Sequence, residues 1–291
     1  MIKVNFYLRN VVAIAICLAG MTMFSGCDSD SNDDASNGDG NTNTGTAKLL
    51  SKMTLVAGDE NIPLETHTTV IEFLYNAEKE LIGYTALSGV RNYTCNISRS
   101  GNKVLISENA GNSVELTLNS EGNAVSIVEK SSSDDYGSSY NYLTTTTITY
   151  DANKQIKTTS SESHRTENSE IIPIGQSSYE HTWASGNLVL RKSDYVTSTI
   201  EYTTYPNNCP FDFNWMQVIG SDMFACMLDC YGVRPKNLAS KETRIYLDDN
   251  SSSTTTYTYK FDKDGNVIES KSVWLSSGGS VEIYTFSFEY K

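Results

Sequence analysis

The chain has 291 residues and a net charge of −13, from 35 acidic and 22 basic side chains. So acidic a chain repels phosphate backbones and anionic lipid headgroups, which argues against nucleic acid as a partner and against membrane attachment through a basic patch. The length allows one large domain or two small ones. No composition break or Pro/Gly-rich linker divides residues 48–291, which predicts a single domain there.

The N-terminus has the pattern of a lipoprotein signal peptide. Lys3 and Arg9 give a positive start, an apolar run covers Val11 to Phe24, and small residues stand directly before Cys27. The run is shorter than the roughly 20 residues that a membrane-spanning helix needs, which favours cleavage over retention. We therefore predict removal of residues 1–26 and lipidation of Cys27.

Residues 27–47 contain mainly Asp, Ser, Asn, Gly and Thr, with almost nothing to bury. This composition predicts a disordered acidic tether. The acidic residues directly after Cys27 also resemble the signals that send lipoproteins of Bacteroides-type bacteria to the outer face of the outer membrane. The alternative is that they only solubilise the linker. The predicted location is the cell envelope, as an outer-membrane lipoprotein facing the cell exterior, with the membrane contacted through the N-terminal lipid.

The rest of the chain has the alternation of antiparallel strands with one buried face. The clearest case is the last, where the aromatic residues from Tyr284 to Tyr290 alternate with polar ones, and Val114 to Leu118 alternate similarly. We predict an all-β domain, an antiparallel meander of roughly ten to twelve strands curled into an open or closed barrel-like sheet.

A loose repeat accompanies this pattern, in which a strand end leads into a polar turn and then into a short apolar strand. Gly-Asn and Asp-Gly tolerate the positive φ of tight hairpins, so each instance predicts a hairpin. The opening of the last one also resembles a calcium loop, but the distal glutamate is missing and the hairpin is favoured. The instances are 73–81, 118–125, 150–156, 183–188 and 261–267.

One segment departs from this pattern of alternating strands and turns. Between Asp212 and Tyr231, apolar residues fall three or four apart, and Gly232 and Pro235 supply a stop. We predict one amphipathic helix over 212–231, packed on the sheet. The stripe consists of Trp215, Ile219, Met223, Cys226, Met227 and Cys230.

The segment Tyr231–Leu238, followed by a strand and the turn Phe261–Asn266, resembles a family of Bacteroides-type lipoprotein domains of unknown function described as having a porin-like fold. The resemblance covers most of Leu55 to Lys291 and implies architecture and localisation, with no activity. Thr, Ser and Lys on the alternate strand faces differ from the apolar band of a membrane barrel, so we expect a water-soluble barrel and not a pore.

Five cysteines remain after processing, in a compartment where disulfides form. A disulfide of Cys209 with Cys226 or Cys230 would tie the predicted helix to its own start. A bridge between Cys226 and Cys230 would be strained, because both lie on one helical face. Buried thiols and metal ligation are the alternatives. No fourth ligand is evident nearby, and we predict no metal.

The sequence offers little for catalysis. No Gly-x-Ser-x-Gly elbow is present, the three histidines lie in polar segments, and the acid pairs at 134–135 and 248–249 fall in Ser-rich stretches predicted as loops. We therefore predict no catalytic residue, no cofactor and no enzymatic activity.

Eighteen tyrosines and three tryptophans are the main functional hint, since flat rings with polar edges suit sugar stacking as well as core packing. The leading hypothesis is a monomeric, non-enzymatic binding module for a glycan or another extracellular ligand. The alternatives are a carrier of an apolar molecule, suggested by the methionines of the helix, and a hydrolase of surface polysaccharides. The candidate ligand-binding residues are Trp183, Trp274, Tyr136, Tyr140 and Tyr142.

Overall fold

The computed structural model describes residues 48–59, 62–109, 111–135, 138–167, 170–212, 218, 228 and 230–291. The predicted signal peptide and tether, residues 1–47, lie outside this part of the chain. The described residues form sixteen strands: β1 Leu50–Asp59, β2 Ile62–Tyr75, β3 Leu81–Ser88, β4 Arg91–Ser100, β5 Lys103–Glu108, β6 Ser113–Leu118, β7 Ala124–Asp135, β8 Ser138–Tyr150, β9 Ile156–Glu167, β10 Glu170–Ala184, β11 Asn187–Lys192, β12 Val196–Pro206, β13 Asn237–Tyr246, β14 Ser252–Phe261, β15 Val267–Ser276 and β16 Val281–Tyr290.

The strands form one closed antiparallel barrel in which each strand pairs with its neighbours in sequence. The first and last strands close it, with Met53 opposite Phe288 and Leu55 opposite Phe286. The predicted all-β antiparallel meander is confirmed. The predicted number of ten to twelve strands is wrong, because several Thr- and Ser-rich strands in β7–β10 carry polar residues on both faces and show no alternation.

Inward-facing side chains fill the described layers of the barrel, since they are almost entirely inaccessible to water. One side of the interior, on β16 and β1–β7, is apolar. The other side, on β9–β15, is mostly polar once past the apolar layer at one end. The apolar side includes Met53, Leu55, Ile71, Phe73, Ile106, Leu116, Ile127 and Phe286; the polar side includes Thr159, His181, Arg191, Ser198, Glu242, Ser253, Thr255, Ser270 and Ser272.

The predicted hairpin turns all form, and they lie at the same end of the barrel. In four of them an Asn or Asp oxygen accepts the backbone N–H four residues later, at 2.8 to 2.9 Å, and a residue of positive φ follows at the third position. The side-chain acceptors are Asn76, Asn119, Asp151 and Asp262. The segment 261–267 is thus a hairpin turn, and Lys48 pairs with both of its aspartates.

At this same end, the aromatic residue near the end of an even-numbered strand donates a hydrogen bond to a carbonyl near the start of the preceding strand. Six such bonds, 2.6 to 2.9 Å long, repeat around the barrel. Burial raises the pKa of these tyrosines, Tyr75 to about 12, so each stays a neutral donor. The donors are Tyr75, Tyr150, Trp183, Tyr202, Tyr259 and Tyr290.

The connection between β12 and β13 covers this end with its described residues, 207–212, 218, 228 and 230–236. Cys230 O accepts from Ala124 N at 2.6 Å, and Val233 N donates to Lys154 O at 2.9 Å, on the β7 and β8–β9 side. Phe211 packs on Phe286 of β16, with ring centroids 4.9 Å apart, seven strands from β7 by the shorter way around the barrel. The described residues of the connection therefore contact nearly opposite walls, and we call this the closed end.

The helix predicted over 212–231 falls within this connection, and most of it lies outside the described residues. Its described positions, 212, 218, 228, 230 and 231, are all buried. All sixteen elements of the described part are strands. No helix long and apolar enough to cross a membrane occurs among the described residues.

At the opposite end, which we call the mouth, β7–β10 project beyond their neighbours. The last residue of β7 that pairs with β6 is Lys130, and β10 pairs with β11 only from Glu180 onward. The four projecting strand segments form a ribbon, residues 131–135, 138–142, 163–167 and 170–179. The loop predicted for the Ser-rich stretch around the acid pair 134–135 is therefore wrong for its described part, because hydrogen bonding between β7 and β8 continues to Asp135 and Ser138.

Candidate functional site

The structure separates the predicted ligand-binding aromatics between the two ends of the barrel. Tyr140 and Tyr142 lie on the ribbon, on the face that continues the inner wall of β8, and Trp274 lies on the inner wall of β15 opposite Thr255. Trp274 is at the mouth too, but seven strands away from β8. Trp183 lies at the closed end, and its indole N–H donates to Ile156 O at 2.8 Å. Tyr136 lies outside the described residues.

The two ribbon tyrosines share their face with a cation. Arg165 stands directly opposite Tyr142 in the ladder between β8 and β9, and its guanidinium carbon lies 4.9 Å from the centre of the Tyr140 ring. A guanidinium at this distance is attracted by the ring quadrupole, which orients both groups. The ribbon thus carries a flat aromatic surface next to a fixed positive charge.

An open cavity of about 400 Å³ lies at the base of the ribbon, beside the turn between β5 and β6. Its walls mix hydroxyl, amide and ammonium groups with the apolar side chain of Leu143 and one aromatic residue, Tyr142. Lys130, Ser132, Asn141 and Thr166 alternate with inward-facing residues, so the cavity opens mainly on the outward face of the ribbon, opposite to the face of Tyr140 and Arg165.

Deeper in the barrel, a carboxylate lies between two arginines. Glu242 is fully buried; its Oε1 accepts from Arg244 Nε at 2.9 Å and also from Arg191 Nη2, and its Oε2 accepts from Arg244 Nη2 at 3.0 Å. Burial alone would raise the pKa of Glu242, but the charges and hydrogen bonds of Arg191 and Arg244 outweigh it and lower that pKa to about 2. Glu242 is therefore an ionised acceptor and not a proton donor near neutral pH.

His181 neighbours this cluster, directly opposite Arg191 in the ladder. Its Nε2 lies 3.1 Å from Thr159 Oγ1, and burial, assisted by the charge of Arg191, lowers its pKa to about 3. The ring is therefore neutral at physiological pH. This neutral histidine, bonded to a buried threonine, is part of the packed interior of the barrel.

Sequence reasoning missed this cluster entirely. Glu242 and Arg244 are two residues apart and so share a strand face, which is the only signal available. Arg191 lies 51 residues from Glu242, and only the barrel brings the two together.

The cysteines are part of the closed end or of the barrel wall. Cys209 Sγ donates to Phe211 O at 2.9 Å, and burial raises the pKa of its thiol well above the ordinary value. No disulfide joins Cys209 to Cys230, although both are buried. The alternative partner Cys226 lies outside the described residues, so that pairing stays a prediction.

The described part of the chain holds no group of three or more His, Cys, Asp or Glu side chains able to bind a metal ion. The acid pair at 134–135 lies in β7 and not in a loop, whereas Asp248 and Asp249 lie in the turn between β13 and β14. The described residues at the mouth are thus aromatic, hydroxyl-bearing, amide and cationic, and they include these two acid pairs.

The fold matches solved structures, although no family model and no curated protein matches the sequence. A porin-like protein from Bacteroides uniformis ATCC 8492 superposes with a TM-score of 0.58 at 20% identity, over 83% of this chain and 98% of that one. A porin-like protein from Bacteroides vulgatus ATCC 8482 superposes with a TM-score of 0.52 at 12% identity, over 81% and 97%. At these identities the likeness establishes the fold, a porin-like β-barrel, and confirms that part of the sequence-based resemblance.

Proposed function

We propose that this protein is an outer-membrane lipoprotein, anchored through Cys27, whose barrel is a non-enzymatic binding module that takes a glycan at its mouth. The observation that carries this proposal is the asymmetry of the two ends. The described residues of the connection between β12 and β13 contact nearly opposite walls at one end, while the other end carries the aromatic ribbon. A barrel blocked at one end receives a ligand and does not conduct one.

The outer surface supports a barrel that stands in water. Most outward positions on β8 and β14 are polar, with Leu143, 38% exposed, as an apolar exception on β8, whereas a membrane barrel needs an apolar band with aromatic girdles there. The two structural neighbours come from Bacteroides, which is consistent with the cell-envelope location that the signal pattern predicts. The outward residues are Thr145, Thr147, Thr149, Thr254, Thr256, Thr258 and Lys260.

The interior of the barrel favours binding at the mouth over the two alternative functions, a carrier of an apolar molecule and a hydrolase. The described layers of the barrel are filled by side chains, which leaves no room in those layers for an apolar guest. A hydrolase would need a carboxyl of raised pKa facing a second one. Glu242 has a lowered pKa, and its neighbours are arginines.

Glycan recognition rests on ring stacking plus hydrogen bonds to hydroxyls, which the mouth provides. The full chain carrying Cys27→Ser, exported without lipid, is screened against polysaccharides and host glycans by thermal shift and then by calorimetry. We expect stabilisation by at least one glycan, loss of that stabilisation in Tyr140→Ala and Tyr142→Ala, and no loss in Tyr205→Ala, an exposed tyrosine at the closed end.

Two results would count against the proposal. If no glycan raises the melting temperature of the parent chain, the mouth is not a glycan site. If cells fed labelled palmitate yield an unlabelled protein, the anchor at Cys27 is wrong, and Cys27→Ser is the control for that label.

A further inference from the structure

The projecting part of β10 has an open edge. Residues 170–179 pair with β9 on one side, and among the described strands none pairs with them on the other, because β11 ends at Lys192, opposite Glu180. At about 3.3 Å per residue this edge is about 33 Å long. Unpaired backbone N–H and C=O groups along a strand edge are a template for another strand.

The edge differs from its counterpart on the other side of the ribbon. On β7, Asn112 Oδ1 accepts from Ser132 N at 3.3 Å, so a side chain covers that edge where it leaves β6. On β10, Pro173 and a bulge between Pro173 and Gly175 interrupt the tip. Proline and bulges are devices that blunt an edge, which leaves Gly175–Tyr179 as the regular, unprotected segment.

We infer that two copies of the chain pair antiparallel through this segment, β10 to β10, about a two-fold axis at Ser177. The segment is bounded by the bulge on one side and by β11 on the other. In the two-fold arrangement Gln176 lies opposite Ser178 and Gly175 opposite Tyr179. The bulge of one copy therefore lies opposite the end of β11 in the other copy. The bulge bends the tip away at the point where the partner's β11 ends.

Charge and exposure favour this occupant. No charged residue lies within Gly175–Tyr179, and the two copies of Glu180 fall six residues apart, roughly 20 Å, beyond the screening length of about 8 Å at physiological salt. Ile174, 48% exposed, borders the pairing segment and comes to lie opposite the partner's Glu180. Covering it adds apolar contact to the backbone hydrogen bonds.

A five-residue ladder makes a small interface, so the pair forms weakly in solution. Small interfaces are typical of transient association. Confinement of lipid-anchored copies to one membrane would raise their effective concentration and strengthen pairing without any new contact. The pairing itself does not depend on the ligand proposed for the mouth.

The test measures molar mass of the full Cys27→Ser chain by light scattering and sedimentation, from 5 to roughly 500 μM, a range suited to a small interface. We expect the mass to rise towards twice the monomer value. The double variant Gln176→Lys, Ser178→Lys sets like charges opposite each other and should weaken association roughly tenfold. The matched variant Gln176→Lys, Ser178→Glu sets opposite charges across the same axis and should restore it.

Unchanged melting temperatures in both variants verify that the barrel stays folded. The monomer predicted from the sequence and the pair inferred from the edge give opposite results in this experiment. A parent chain that remains monomeric throughout the range overturns the inference. So does equal association of both double variants, because the contact would then lie elsewhere.

Discussion

Glu242→Gln tests whether the buried charge cluster holds the polar half of the barrel together. The substitution keeps the size of the side chain and removes its charge, which leaves Arg191 and Arg244, with side chains 6% and 15% exposed, without their shared counter-ion. Breaking a buried pair by neutralising one partner costs about 3 to 5 kcal/mol. We expect a loss of that size in the free energy of unfolding at pH 7, measured by urea denaturation.

The lowered pKa of Glu242 gives a second way to work out the expected loss of unfolding free energy. A carboxylate whose pKa falls from 4.5 in the unfolded chain to about 2 in the folded one contributes about 3 kcal/mol, the same order as the first figure. Because the pKa is depressed, this contribution is complete above pH 4.5 and is lost as the pH falls towards 2. The difference between parent and Glu242→Gln should therefore shrink between pH 5 and pH 2.

The control is Glu289→Gln, which removes a surface ion pair with Lys52 whose carboxylate side chain is 60% exposed. Surface pairs contribute about 0 to 1 kcal/mol, so this variant should unfold almost as the parent does. A loss below about 1 kcal/mol in Glu242→Gln, or a difference between parent and variant that stays constant from pH 5 to pH 2, would refute the reasoning.

Gly232→Ala and Ser272→Ala should move the free energy of unfolding in opposite directions, again measured in urea. Gly232 has a φ of +67°, and a Cβ there would lie 2.1 Å from Lys154 O, so we expect a loss of at least about 2 kcal/mol. Gly89→Ala, at φ +59° with open space around it, should cost only about 1 kcal/mol. The Ser272 hydroxyl is buried with no hydrogen-bond partner, and its removal should add up to about 1 kcal/mol.

A serine with a partner provides the control for the second substitution. Ser161 Oγ lies 2.8 Å from Thr146 Oγ1, so Ser161→Ala should destabilise the barrel where Ser272→Ala stabilises it. Equal effects of the two serine variants would show that the Ser272 hydroxyl is satisfied. Equal effects of the two glycine variants would show that the backbone around Gly232 shifts to accommodate the added Cβ.

The hairpins and the apolar strands could be predicted because their signals are local. The alternation from Tyr284 to Tyr290 and the turn chemistry of 150–156 act within about ten residues. The strand count failed around β8–β10, where an inward polar wall removes the contrast between the two faces. The run Ser131–Asp135 is a strand because its neighbour in β8 pairs with it, and its composition alone predicts a loop.

The same distinction applies to the candidate site. Tyr140 and Tyr142 were predicted together and lie together, because positions i and i+2 of a strand share a face. The neighbours that give them a chemical context, Arg165 and the cavity beside the turn between β5 and β6, come from other hairpins. The function of Trp183 as a hydrogen-bond donor at the closed end follows from its position in the barrel.

By itself the sequence determined a β-rich meander and the places of its turns. It also predicts a lipoprotein-type N-terminus. The tertiary structure alone decided that sixteen strands close into a barrel, which face is inside, at which end the described residues of the connection between β12 and β13 lie, and which charges meet. The physical reason is the distance along the sequence between the residues that specify each feature. A turn or an alternating strand is specified by neighbours a few residues away, whereas closure pairs Leu55 with Phe286 and depends on the twist and stagger accumulated over every strand between them.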